Sequence, residues 1–190
     1  MAAVTILGSV FLPVEAFEPF AKALGQRGFD VTLVVPRTSE SAAAVLEDYV
    51  ARTRTGSSLV AHSNAGNFVP AVAQRTSPAS VVFVDAVLPP LTGGRWDVVP
   101  PHLSGRLRAT ATGEVIPRWT RWWDRDDIAS LFPSEESFAR IDSLCHASTS
   151  SPATTSGSAS AHGGAHASAW CARRYQGLPG SPHGDVEGLR

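Results

Sequence analysis

Short apolar runs and amphipathic segments alternate along the first 90 residues, and this alternation constrains the fold more than any other feature. The apolar runs predict strands over residues 4–7, 29–36, 57–62 and 80–86. The segments between them predict helices over residues 13–28, 39–54 and 65–75. Because the strands are apolar on both faces, they suit a parallel sheet that helices cover on both sides. The expected fold class is α/β, a three-layer α/β/α arrangement with a mostly parallel sheet.

Local signals support the predicted helices. In the first helix, one face collects the apolar residues Val14, Phe17, Phe20, Ala21 and Leu24. Ser39 or Ser41 is expected to cap the second helix, and a further helix over 134–144 begins at a capping residue, Ser134.

The pattern changes after residue 86, where proline and glycine become frequent. A simple crossover does not need such a stretch, so we predict an excursion or lid over about residues 87–133. Trp119, Trp122 and Trp123 lie in it, and we expect them to cover a core rather than to mark a ligand site. The predicted domain spans residues 1–144 and includes this excursion.

Residues 145–190 differ in composition from the rest of the chain, since they contain no isoleucine, phenylalanine or methionine. Such a segment buries too little apolar surface to offset the entropy of ordering it, so we predict a largely disordered tail. Its alanine, serine, glycine, histidine and arginine are also what GC-rich DNA encodes when it is read out of frame. A frameshift is therefore one hypothesis for its origin.

Composition excludes several function classes. The net charge is −1, which gives no electrostatic basis for binding nucleic acid or an anionic membrane. No apolar run approaches the ~18 residues of a membrane span, and no basic segment precedes the first apolar run. The two cysteines, Cys145 and Cys171, provide no disulfide framework. We expect a cytoplasmic protein with no cofactor and no metal site.

The segment "LVAHSNAG", residues 59–66, places Ser63 between a predicted strand and a predicted helix. One interpretation is an ordinary strand-to-helix turn. The other is a nucleophile on a strained turn, which needs small residues two positions away, as Ala61 and Ala65 are. In parallel sheets chemistry gathers at the carboxyl ends of strands, where both Ser63 and Asp85 fall.

The segments "VTILGS", "FEPFAKALGQRGFDVTLVVP", "LVAHSNAG" and "VVFVDAVLPP", in this order, resemble an α/β-hydrolase over roughly residues 3–90. The stretch "WTRWWDRDDIASLFP" resembles the region after the sixth strand in small bacterial members. The resemblance implies a chain that begins at the family's third strand and has an incomplete C-terminal part. It also implies a hydrolase of carboxylic esters or similar acyl compounds that uses a Ser-His-acid triad.

The resemblance assigns roles to individual residues. Ser63 matches the nucleophile, and the backbone amides of Asn64 and Ser9 match the two oxyanion donors. Asp85 is a candidate acid, although a solvated or turn-capping aspartate is an equally good interpretation. His183, in "LPGSPHGDVEG", is the nearest candidate base, whereas His62 is expected to point away from Ser63.

Two functions therefore remain open from the sequence. The first is an active serine hydrolase. The second is a catalytically inactive binding protein, or the product of a damaged gene, because no strand precedes the candidate histidine. In either case an exposed sheet edge would permit association with another chain.

Overall fold

The structure, a computed structural model, describes residues 1–89, 94–97, 101–113, 115–149 and 154–157. Four parallel strands form its main sheet in the order β2-β1-β3-β4. The strands span Ala3–Leu7 (β1), Asp30–Val34 (β2), Ser58–His62 (β3) and Val81–Val84 (β4). All four predicted strands are confirmed, and the parallel pairing confirms the predicted α/β class.

Three helices connect these strands and cover both faces of the sheet. They span Glu18–Gln26 (α1), Ala42–Arg52 (α2) and Val69–Thr76 (α3), and a 3-10 helix, Ser63–Phe68, precedes α3. On one face, α2 and α3 bury a core that includes Leu7, Leu59, Tyr49 and Phe68. On the other face, α1 packs near Ile6 and Val60. The three-layer prediction is thus confirmed.

The predicted helix over 13–28 is wrong as one continuous element. A short 3-10 helix, Val14–Ala16, ends at Phe17, and α1 starts afresh with a proline in its first turn. This interruption shifts the helical phase, because proline at a first turn suits a new helix and not a helix interior. Phe17 is consequently buried, whereas Val14 and Phe20 are each 40% exposed.

The predicted caps are confirmed at two helices. The Ser41 hydroxyl accepts a hydrogen bond from the Ala44 N–H at 3.1 Å, so Ser41 rather than Ser39 caps α2. Ser134 accepts a hydrogen bond from the Ser137 N–H in the same way at the start of the last helix.

The second half of the described chain forms short helices and two small sheets that are separate from the main sheet. The helices span Pro101–Thr110 (α4), Arg125–Ala129 (α5) and Glu135–Leu144 (α6). Two antiparallel pairs join Gly94–Asp97 (β5) to Thr154–Gly157 (β8), and Val115–Ile116 (β6) to Ser148–Thr149 (β7). In the described ranges no helix is both long enough and apolar enough to cross a membrane.

Phe11, in the loop after β1, joins the second half of the chain to the sheet. Its ring meets Trp122 edge-on at a centroid distance of 4.8 Å, and Trp122 is only 3% exposed. The Cys145 thiol, whose pKa burial raises to about 11, donates a weak hydrogen bond to the Phe11 carbonyl at 3.8 Å. The interpretation of Trp122 as a core residue is confirmed.

The predicted tail is only partly described. It starts at Cys145, which is buried, and residues 148–149 and 154–157 form β7 and β8. Each of these short strands pairs with a strand in the excursion. Residues 150–153 and 158–190 lie outside the described residues, and for them the prediction stays a prediction.

Candidate active site

Ser63 occupies the turn between β3 and the 3-10 helix with a left-handed backbone, at φ 55°. Few residues other than glycine adopt this conformation, which costs on the order of 1–3 kcal/mol. Two hydrogen bonds from the loop after β4 hold it. The Ser63 N–H donates to the Asp85 carbonyl at 3.1 Å, and the Val87 N–H donates to the Ser63 carbonyl at 3.0 Å.

Small residues surround this turn, as the sequence predicts. Ala61 and Ala65, two positions before and after Ser63, are fully buried. A Cβ built on Gly66 would lie 2.0 Å from the Val87 carbonyl oxygen, well inside van der Waals contact. The glycine therefore allows the loop after β4 to pack directly on the helical turn, which fixes that loop against the segment that holds Ser63.

The loop after β1 lies beside the Ser63 turn. Ser9 is 1% exposed, and its hydroxyl accepts a hydrogen bond from the Phe11 N–H at 3.2 Å. The Val10 N–H donates to the side-chain Oδ1 of Asn64 at 3.3 Å. The loop that carries Ser9 thus contacts Asn64 through Val10, the residue that follows Ser9.

The Asn64 side chain is a site feature that the sequence analysis missed. Asn64 is 5% exposed, and its Nδ2 has no hydrogen-bond partner among the described residues. A buried amide without a partner costs about 1–3 kcal/mol. Because its Oδ1 contacts a residue 54 positions earlier, no local pattern around Asn64 could have revealed this contact.

Asp85 also has a left-handed backbone, at φ 45°, and follows the last residue of β4. Its carbonyl binds the Ser63 N–H, while its side chain is exposed. Burial lowers the pKa of His62, and the Asp85 carboxylate opposes that shift only in part. Asp85 therefore lies next to the Ser63 turn, and its assignment as catalytic acid or as solvated turn residue stays open.

His62 precedes Ser63 but packs on the α1 side of the sheet. Its ring meets Phe17 edge-on at a centroid distance of 5.2 Å, and its Nδ1 is buried without a hydrogen-bond partner in the described structure. Burial lowers the pKa of His62 more than the Asp85 charge raises it. Ala61 lies in the core on the opposite face of the sheet. Side chains alternate along a strand, so His62 points to the α1 face, as predicted.

The candidate base His183 lies outside the described residues, so the structure does not place it. Within the described ranges, no group of three or more histidine, cysteine, aspartate or glutamate side chains is arranged to hold a metal ion.

Solved structures similar to this chain are α/β-hydrolases. An extracellular α/β-hydrolase from a Paenibacillus species matches with a TM-score of 0.60 at 15% identity, covering 82% of this chain and 69% of that one. A polyneuridine aldehyde esterase variant matches with a TM-score of 0.55 at 11% identity, over 78% and 69%. A variant of the pyrethroid hydrolase PytH matches with a TM-score of 0.53 at 15% identity, over 82% and 71%.

No protein-family model and no curated protein matches the sequence. At these identities the solved structures establish the fold and not the activity. The chain has the α/β-hydrolase fold, with a mostly parallel sheet, and the predicted resemblance is confirmed at that level.

We expect the substitution Gly66→Ala to destabilise the protein by about 1–3 kcal/mol, because the added methyl group overlaps the Val87 carbonyl. Urea unfolding measures the change. Gly25→Ala is the matched control, since a Cβ on Gly25 in α1 meets nothing within 4 Å and alanine favours a helix by about 0.5–1 kcal/mol. An unfolding free energy for Gly66→Ala that equals or exceeds the wild-type value would contradict this packing.

We expect His62 to make stability depend on pH in the weakly acidic range. Its pKa in the folded state lies below the ordinary value of 6.5, so the unfolded chain binds the extra proton first as the pH falls. Above pH 6.5 the protein has the full stability that neutral His62 confers. This stability is lost as the pH falls from 6.5 toward the lower pKa of His62 in the folded state. We expect the unfolding free energies of the wild type and of His62→Gln, measured between about pH 8 and about pH 5, to approach each other as the pH falls.

The variant His146→Gln removes an exposed histidine and controls for the loss of an imidazole side chain. If it changes the pH dependence as much as His62→Gln does, burial of His62 is not the cause.

Proposed function

We propose that this chain is a serine hydrolase that acts on a carboxylic ester or a similar acyl compound, with Ser63 as its nucleophile. The observation that carries the proposal is the left-handed backbone of Ser63 at a strand-to-helix turn within the α/β-hydrolase fold. A strained serine at such a turn exposes its hydroxyl at the carboxyl end of the sheet. Ser77 has the same backbone conformation at the end of α3, so the proposal rests on the place of Ser63 between β3 and the 3-10 helix as well as on its conformation.

In the proposed reaction the Ser63 Oγ attacks the acyl carbonyl carbon, and the carbonyl oxygen gains negative charge. The backbone amides of Asn64 and Ser9 would donate hydrogen bonds to this oxygen. Two observations support this pairing: both residues are almost fully buried, and the loop that carries Ser9 is tied to Asn64 through Val10. Amide donors in a water-excluded site stabilise such a charge far better than they would in water. The 3-10 helix that begins at Ser63 continues directly into α3, so the N-terminal end of this helical segment, which favours negative charge, lies at the turn.

Proton transfer needs a histidine, because a serine without a base is a weak nucleophile. We propose His183 for this role and Asp85 as the acid that orients it. The position of Asp85 supports its part, since its backbone binds Ser63 and its carboxylate is free to face a base from the tail. His62 is the poorer candidate, because its ring packs on Phe17.

The fold and the proposed nucleophile together support the proposed substrate class. Structural neighbours are described as an esterase and as a pyrethroid hydrolase, which suits an acyl compound as the small-molecule partner. We propose the cytoplasm as the location, from composition, although one neighbour is described as extracellular.

We expect a fluorophosphonate probe to add one phosphonyl group to the purified chain, measured by intact mass. Ser63→Ala should abolish the adduct, because the probe reports an activated serine. Ser77→Ala is the matched control, since Ser77 also has a left-handed backbone, at φ 47°, but lies at the end of α3. Its adduct should match that of the wild type.

An adduct that survives Ser63→Ala would contradict the nucleophile assignment. A folded wild-type chain that forms no adduct would contradict the hydrolase proposal and favour an inactive binding protein.

A further inference from the structure

Tyr49 of α2 contacts the loop after β1 from inside the core. Its side chain is fully buried, and its ring packs at 5.4 Å from the ring of Phe68. The Tyr49 hydroxyl donates a hydrogen bond to the Gly8 carbonyl. Burial raises the pKa of the Tyr49 phenol, so this group stays protonated and remains a donor across the accessible pH range.

The Gly8 carbonyl and the Ser9 N–H belong to one peptide group. This group is planar, and in its trans form the carbonyl and the N–H point in opposite directions. A hydrogen bond that fixes the direction of the carbonyl therefore fixes the direction of the Ser9 N–H. It also polarises the peptide, which makes that N–H a stronger donor.

Neighbouring contacts fix the peptides on either side. The Gly8 N–H donates to the Val34 carbonyl at 2.8 Å, and the Val10 N–H donates to Asn64 Oδ1 at 3.3 Å. A Cβ built on Gly8 would meet Val35 Cγ2 at 2.7 Å, so the backbone is pressed closely against its surroundings. The contact from Tyr49 orients the one peptide that lies between these two anchors.

We propose that Tyr49 is a positioning residue of the oxyanion site, whose hydroxyl orients and polarises the Gly8–Ser9 peptide so that the Ser9 N–H meets the oxyanion. This inference rests on the proposed hydrolase function. No residue of α2 belongs to the Ser63 turn. Through Tyr49, however, α2 would act directly on the oxyanion site.

Tyr49→Phe tests the proposal, because it removes the hydroxyl and keeps the ring in the core. With p-nitrophenyl butyrate as substrate, we expect kcat to fall roughly tenfold while KM stays within about twofold. Fluorophosphonate labelling of Ser63 should slow by a similar factor. Loss of an oxyanion donor itself costs more, ~10²–10³-fold in kcat.

Thr5→Val is the matched control. It removes a buried hydroxyl of β1 that bonds Ser57 Oγ at 2.7 Å, three residues before Gly8 and away from the Gly8–Ser9 peptide. We expect it to lower stability and to leave kcat unchanged. Equal kcat values for Tyr49→Phe and the wild type, or equal losses in Tyr49→Phe and Thr5→Val, would overturn the proposal.

The amide resonance of Ser9 in a nitrogen–proton NMR spectrum gives a readout that does not depend on activity. We expect it to shift in Tyr49→Phe and to stay in place in Thr5→Val. An unmoved resonance in Tyr49→Phe would overturn the orienting role of Tyr49. A shifted resonance in a chain whose wild type neither hydrolyses the ester nor takes up the probe would support the orientation and overturn the hydrolase proposal.

Discussion

The left-handed backbone of Ser63 is the constraint on which the rest of the site depends. Such a conformation persists only where the surroundings determine it, and here two hydrogen bonds to the loop after β4 do so. That loop can approach only because Gly66 has no side chain. Ala61 and Ala65, two positions before and after Ser63, are both fully buried in the core.

Three segments that are distant in sequence meet around this turn. The loop after β1 contacts it through Val10 and Asn64, and the loop after β4 contacts it through Asp85 and Val87. The second half of the chain reaches the same region through Trp122, which packs on Phe11. β1, β3 and β4 are neighbouring parallel strands, so their carboxyl ends lie at one edge of the sheet. The loops that follow β1 and β4 therefore lie beside the Ser63 turn after β3.

The sequence predicted the features that depend on short stretches of chain. The strands, the caps at Ser41 and Ser134, and the turn at Ser63 each follow from a few adjacent residues. The interruption at Phe17 was missed because the apolar spacing continues across it, even though Pro19 starts a new helix there.

Contacts that depend on the assembled sheet were beyond any sequence pattern. Tyr49 lies 41 positions from Gly8, and only the packing of α2 beside β1 joins them. The Asn64 side chain is a similar case, because an asparagine in a turn ordinarily bonds its own neighbourhood. The role of Asp85 depends equally on whether His183, a residue outside the described structure, comes to its carboxylate.

The most direct test of the central claim compares the stability of two variants at Ser63. Both lack the hydroxyl, but glycine adopts a left-handed backbone freely and alanine does not. If the fold imposes a strained turn on Ser63, Ser63→Gly should unfold with a free energy about 1 kcal/mol above that of Ser63→Ala. An unfolding free energy for Ser63→Gly equal to or below that of Ser63→Ala would mean that the turn holds no strain, and the case for a nucleophile at Ser63 would lose its structural basis.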